Sequence, residues 1–210
     1  MLHSVPLFSH IPEEKLRDLE QSAVVRKYPK NTLLFFEGDE GGQMYVVKQG
    51  LLYAYTDDDD GRQLVLNYLA PGDYFGELSL IDNQPRSATV AAVEDSEVLC
   101  ISRDRFKHFL SVYPELYDSL LIAMTQRVRE LTHNVKDMAL LDVYGRVAQT
   151  LERLCRDDLE PPKLTHQSIA NMVGASREMV SRVMKELVVG GYIQIEQKHI
   201  RILKKFPKSW

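Results

Sequence analysis

Residues 165–187 read Thr-His-Gln-Ser-Ile-Ala-Asn-Met-Val-Gly-Ala-Ser-Arg-Glu-Met-Val-Ser-Arg-Val-Met-Lys-Glu-Leu. The spacing of small and branched residues predicts two short helices that cross tightly. Ala170 leaves room for the second helix, Gly174 four positions on supplies a turn with positive φ, and Val180 six further locks the pair. Ile169, Val173, Val183 and Leu187 fall on the buried side, and Ser176 is placed to cap the second helix. Directly after that cap, Arg177, Glu178, Ser181 and Arg182 cluster polar groups on one face, where a recognition helix meets base edges. Thr165, Ser176 and Lys185 complete the set of candidate DNA contacts. An ordinary surface helical hairpin would share the apolar spacing but has no need of the polar face.

The rest of the chain is consistent with that reading. A length of 210 residues suits two modest domains, and 44% hydrophobic with 27% charged residues is an ordinary globular composition. No run approaches the roughly 18 apolar residues of a membrane span, and the N-terminus lacks a basic-then-apolar signal pattern, so the expectation is a cytoplasmic protein with no membrane partner. The net charge of −4 conceals an asymmetry. Residues 1–141 carry 14 Lys and Arg against 22 Asp and Glu, whereas residues 142–210 carry 12 against 8. Positive charge therefore gathers around the two crossing helices, as phosphate contact requires. Cys100 and Cys155 lie among apolar residues and read as buried thiols, and the six histidines show no metal-ligand spacing, so no metal is expected.

A short helix opens the chain, with Pro12 at its start and Leu16 and Leu19 inward. From about residue 24 to 101, short apolar runs alternate with glycine turns at Gly38, Gly41, Gly42, Gly50, Gly61 and Gly72. That pattern predicts a small antiparallel β-barrel or jelly roll, with the acidic residues 57–60 at a hairpin tip. Two helices follow, one from Ser102 and one from Pro114. On the second, Tyr117, Leu121, Met124, Val128, Leu131, Val135 and Met138 recur in steps of four and three, an a/d seam over three heptads. Such a helix of about 25 residues spans roughly 37 Å, and its seam predicts a parallel homodimer. Asp142 begins a further helix with Val143, Val147, Leu151 and Leu154 inward. Beyond Gly190 and Gly191, residues 192–195 and 199–203 read as the two strands of a wing, and Lys204, Lys205 and Lys208 as a frayed basic tail. The class is α+β, divided as barrel 1–113, dimerisation helix 114–141 and winged helix-turn-helix 142–210.

Residues 71–90 hold a second constellation. Gly76 permits close backbone approach, Glu77 and Leu78 open a short helical turn whose amides suit an anion, and Arg86 brings a planar fork with Ser87 and the Ala88 amide beside it. A carboxylate for a sugar hydroxyl and a guanidinium for a phosphate together describe a nucleotide, preferably a compact cyclic one. The alternative is that Glu77 and Arg86 pair only with each other. Nothing in the chain suggests catalysis: no nucleophile–base pair and no phosphate-binding loop of the nucleotide-hydrolysing kind are evident.

Gly76-Glu77-Leu78 with residues 85–90 resembles the phosphate-binding cassette of cyclic-nucleotide-binding domains, including the nine-residue spacing from carboxylate to arginine. Residues 141–151 and 176–182 resemble the cyclic AMP receptor branch of the Crp/Fnr superfamily of transcription regulators. The resemblance runs through nearly the whole chain in order. It implies Glu77 on a ribose 2′-hydroxyl, Arg86, Ser87 and Ala88 on a cyclic phosphate, and Gly76 and Leu78 shaping the cassette. It also implies Arg127 and Thr132 on the dimer helix as further ligand contacts, cyclic AMP as ligand, and Arg177, Glu178 and Arg182 on the base edges of TGTGA-like half-sites. Residues 58–60 fall where that branch contacts RNA polymerase. Two departures qualify this. Ser181 stands where the cyclic AMP branch has glycine, as in the fumarate–nitrate branch, and Leu131 replaces the first hydroxyl of a threonine–serine pair that touches adenine. Cyclic GMP, cyclic di-GMP and ligand-independent action therefore stay open. The cysteine cluster of an oxygen-sensing iron–sulfur centre is absent from the sequence.

Overall fold

A computed structural model describes residues 1–154, 164–196 and 199–207. The expectations for Cys155 and Lys208 lie outside them. Two compact units emerge, one of Met1–Thr56 with Val65–Val128, the other of Asp57–Leu64 with Arg129–Trp210.

The first unit opens with two 3-10 turns, Leu2–Ser4 and Pro6–Phe8, and helix α1 (Glu13–Ser22), whose Leu16 and Leu19 are buried. Eight strands follow: β1 (Val24–Tyr28), β2 (Leu33–Phe35), β3 (Gln43–Gln49), β4 (Leu52–Asp57), β5 (Gln63–Leu69), β6 (Tyr74–Phe75), β7 (Thr89–Ala92) and β8 (Ser96–Ser102). They form two four-stranded sheets, ordered β1-β8-β3-β6 and β2-β7-β4-β5, in which β1–β8, β3–β8, β3–β6, β2–β7 and β4–β7 pair antiparallel. The expected jelly-roll barrel is thus present. Side chains of successive strand residues point to opposite faces, and β3 buries both. Tyr45 and Val47 join Val98, Cys100, Phe75 and Val90 between the sheets, while Met44 and Val46 join Leu99, Ile101 and the helical cap. Burial pushes the Cys100 thiol pKa up, as suits an inert core cysteine.

Helix α2 (Leu78–Asp82) sits between β6 and β7. Helix α3 (Arg103–Val112) starts at Ser102, whose hydroxyl accepts the Arg105 amide. Helix α4 runs from Leu116 to Leu140. Its first turns bury Leu116 and Leu120 in the cap. The predicted seam faces outward at six of its seven positions: Tyr117, Leu121, Val128, Leu131, Val135 and Met138 are between 46% and 65% exposed, and Met124 is half-buried.

In the second unit, α5 (Val143–Leu154), α6 (His166–Val173) and α7 (Arg177–Val189) surround a core of Val147, Leu151, Ile169, Ala170, Val180 and Leu187. The N-terminus of each of these helices is capped locally. Asp142 accepts the Gly145 amide at 2.7 Å, Thr165 and Ser168 form a reciprocal capping box, and Ser176 accepts the Met179 amide at 3.2 Å. Each such cap contributes on the order of 1 kcal/mol. Gly174 ends α6 at φ 61°, and the Ala175 amide returns to the Ala170 carbonyl. Arg146 fastens α5 to that corner, donating from Nε to the Val173 carbonyl and from a terminal nitrogen to the Leu141 carbonyl. The wing is β9 (Ile193–Glu196) paired with β10 (His199–Ile202).

One expectation fails. Residues 203–207 are not a frayed end, because Phe206 is buried in the core and Lys204 stacks its ammonium over the Tyr192 ring at 4.2 Å. The aromatic residue, absent from a purely electrostatic reading of the tail, anchors it.

Candidate functional site

The barrel constellation is built on two close approaches. Gly76 has φ 79°, and a Cβ there would stand 2.5 Å from an Arg86 terminal nitrogen. A Cβ on Gly41 would meet Ser79 at 2.3 Å and lie 3.4 Å from the Arg86 guanidinium carbon. Two glycines thus make room for one arginine. Across the loop, the Arg86 amide donates to the Asp39 carbonyl and the Gly38 amide to the Arg86 carbonyl, fixing the backbone at the cassette.

Arg86 does not present its fork outward. Its side chain is buried, with Nη1 donating to the Gly76 carbonyl at 2.8 Å and Nη2 to the Gln43 carbonyl at 2.7 Å. The guanidinium lies 4.4 Å from the Phe35 ring centre and 5.6 Å from that of Tyr45. Phe35, Tyr45 and Phe75 stack beneath it, with Tyr45 and Phe75 centroids 5.0 Å apart. A buried cation needs acceptors, and β3 and the Gly76 turn supply them, an orientation that the residue types alone do not give. Among the described residues, Nε is buried with no hydrogen-bond partner. Sequence reasoning missed Gln43, Phe35 and Tyr45, which lie far away in the chain and carry no motif.

Glu77 sits half-buried at the start of α2. Burial raises its pKa, opposed by a hydrogen bond to its own amide and by the charges of Arg127 and Arg86. No ion pair joins Glu77 to Arg86 among the described residues. The alternative in which the two only neutralise each other thus lacks its contact. Ser87 is exposed, Ala88 half-buried and Leu78 40% exposed, so donors and the cassette edge remain accessible. Arg127 belongs to the same unit, whereas Thr132 belongs to the other. Arg103, also unanticipated, binds the Gly41 carbonyl and Asn83 from the start of α3. The donors and acceptor present fit a cyclic nucleotide: a buried cation retains one unpartnered donor beside accessible amides, and a desolvated carboxyl stands next to it.

On α7, Arg177, Glu178, Arg182 and Lys185 are exposed, and Ser176 is held as the cap. Glu178 has a lowered pKa through hydrogen bonds to its own amide and to Ser176 at the helix N-terminus. Ser181 differs from its neighbours. It is half-buried, and its hydroxyl lies 2.8 Å from Nδ1 of His166 on α6. Thr165 is exposed and occupied as a cap.

Comparison with known proteins resolves the family. A cyclic nucleotide-binding domain matches residues 25–113 and a Crp-like helix-turn-helix domain residues 145–205. The cAMP-activated global transcriptional regulator Vfr of Pseudomonas aeruginosa is 38% identical over 184 residues, covering 82% of this chain and 86% of that protein. This chain belongs to the Crp/Fnr family of transcription regulators. The Escherichia coli regulator CRP is 36% identical over 171 residues, covering 78% and 81% of the two chains. Among solved structures, the c-di-GMP responsive regulator CLP of Xanthomonas campestris superposes with TM-score 0.81 at 26% identity, covering 92% of this chain and all of that one. The catabolite activator protein of Thermus thermophilus gives TM-score 0.59 at 30% identity over 94% of this chain and 93% of that one. As a family member the protein is a DNA-binding transcription regulator carrying a cyclic nucleotide-binding domain. Vfr, CRP and CLP are global regulators. Among the described residues no helix is long and apolar enough to cross a membrane.

Proposed function

We propose that the protein acts as a homodimer in the cytoplasm, with DNA binding controlled by a cyclic nucleotide, cyclic AMP in the first instance, at the cassette of residues 76–88. The observation that carries this is Arg86: among the described residues it is a buried cation without a carboxylate partner and with Nε unsatisfied, beside the desolvated Glu77. A cyclic nucleotide supplies a phosphate anion and a ribose hydroxyl. Arg86, Ser87 and the Ala88 amide donate toward the first, Glu77 accepts from the second, Gly76 and Leu78 frame the turn, and Arg127 and Thr132 contribute from α4. The outward apolar seam supports pairing of two copies along that helix, since a row of half-exposed large apolar side chains is costly in water. Barrel 1–113, dimer helix 114–141 and DNA-binding domain 142–210 are then the working divisions.

Two copies place two α7 helices on successive major-groove segments, and we assign Arg177, Glu178, Ser181 and Arg182 to base edges of a palindrome with TGTGA-like halves. Thr165, Ser176 and Lys185 complete the contact set. At the acidic tip, Arg62 binds Asp58 at 3.0 Å and Asp60 at 2.6 Å, so a polymerase contact there would meet a partly neutralised surface. The likeness to CLP favours a second reading, in which cyclic di-GMP is the effector.

Fluorescence anisotropy of a labelled palindrome at fixed salt, with cyclic AMP, cyclic GMP or cyclic di-GMP added in turn, tests the scheme. One nucleotide should change operator affinity at least several-fold, since an effector acts only through unequal affinity for two states. Affinity indifferent to all three would leave a ligand-independent regulator and end the gating proposal.

A further inference from the structure

Ser181 lies one helical turn beyond Arg177 and Glu178, on the face of α7 assigned to base edges, yet its hydroxyl is not at liberty. His166, the first residue of α6, holds it at 2.8 Å through Nδ1. A serine hydroxyl has one proton and two lone pairs, and a neutral imidazole nitrogen is either donor or acceptor. Whatever His166 takes from Ser181, the remaining valence is what Ser181 shows to a base. If Nδ1 accepts, the hydroxyl proton is spent on the histidine and its oxygen can only accept, which suits the amino groups of adenine or cytosine. If Nδ1 donates, the proton stays available for thymine O4 or guanine O6 or N7. The partner thus decides the chemistry that the reading helix presents at this position.

We propose that His166 is a specificity-determining residue of this regulator: by fixing the Ser181 hydroxyl from the neighbouring helix, it sets the base preferred at the half-site position that Ser181 faces. His166 need not touch that base and acts as a positioning residue. The inference rests on α7 being the base-reading helix. It goes beyond that assignment by giving a role to a residue outside the reading helix. The pair also explains why a serine at this position does not behave as an ordinary exposed polar group, being half-buried between α6 and α7.

The test uses full-length protein with cyclic AMP present and a panel of palindromes in which each base pair of the half-site is varied symmetrically. Wild type, His166→Ala, His166→Asn, Ser181→Gly and the double variant His166→Ala with Ser181→Gly are compared by anisotropy, with thermal melts to confirm folding. His166→Ala should change the ratio of affinities between bases at one position by about three- to tenfold, the size expected of one hydrogen bond. His166→Asn, which retains a polar atom near the Nδ1 site, should restore the wild-type ratio. In the Ser181→Gly background, loss of the histidine should change no ratio. An unchanged ratio in His166→Ala, or the same change with and without Ser181, overturns the proposal while leaving α7 as the reading helix. A wild-type protein indifferent to every base pair of the half-site overturns both.

Discussion

Arg86 and Arg182 carry the same planar cation into opposite surroundings. Arg86 is buried, with two backbone carbonyls and an aromatic face around it; Arg182 stands exposed on α7. A buried guanidinium has given up its hydration, and the two carbonyls that hold Arg86 lie within the barrel, so its orientation belongs to the fold even with Nε left for a ligand. An exposed one keeps its water until DNA displaces it, so its geometry belongs to the complex. The two candidate sites therefore differ in kind: altering the cassette alters the barrel, whereas altering the reading face of α7 leaves the domain standing.

Substituting each arginine by alanine puts this contrast at greatest risk. Arg86→Ala strands the Gly76 and Gln43 carbonyls, each worth about 1–3 kcal/mol if left buried and unpaired, and should both lower the melting temperature and abolish nucleotide binding measured by calorimetry. Arg182→Ala should leave stability within about 0.5 kcal/mol while removing about 1–3 kcal/mol of discrimination at one base pair. Equal losses of stability in the two variants would break the comparison.

Gly76 sharpens it from the backbone side. Gly76→Ala meets both a positive φ and a contact of 2.5 Å with Arg86, so the turn is strained and the arginine is pushed off its carbonyl. A loss of about 1–3 kcal/mol in urea-induced unfolding is expected, with weakened nucleotide binding and unchanged anisotropy on non-specific DNA. Unchanged stability would mean that the turn relaxes freely and does not hold the arginine.

The two sites also differed in how far the sequence disclosed them. The helix pair was legible because its determinants are local: Gly174 at positive φ, Ser176 capping three residues on, and apolar residues at helical period. The seam of α4 was legible for the same reason, being a repeat along one element. At the cassette, residue types were readable but orientation was not, because the acceptor that turns Arg86 inward comes from Gln43, 43 positions away. Phe206 illustrates the same limit, since a tail of lysines gives no hint that one aromatic side chain docks in a core. The His166–Ser181 contact bridges 15 residues and depends on how two helices cross. The capping box of α6 escaped notice because Ser168 occupies the position where glutamate or glutamine gives the recognisable signal.

Removing a cap probes the DNA-binding domain apart from the barrel. Ser176→Ala deprives the Met179 amide of its acceptor at the start of α7 and should destabilise that domain by about 1 kcal/mol. Hydrogen exchange should show faster opening of α7 amides with the barrel strands unaffected. Accelerated exchange in β3 or β8 would indicate that the cap stabilises more than its own helix.

The gentlest effect is a slope in pH. Glu77 has its pKa raised in the folded protein, chiefly by burial, so the folded state holds this proton more tightly than the unfolded chain. Stability from this group is then fullest below the unfolded value near 4.5 and declines as pH rises through the folded value. Ligand-free protein melted between pH 4 and pH 7 (roughly the carboxyl range upward) should lose stability with a steeper slope than Glu77→Gln, which has no proton to release. The variant should accordingly gain on the wild type toward neutral pH while binding cyclic AMP more weakly. Parallel slopes would show that Arg127 and Arg86 fully offset the desolvation. The carboxyl would then resemble the exposed groups of α7 more than its buried neighbour.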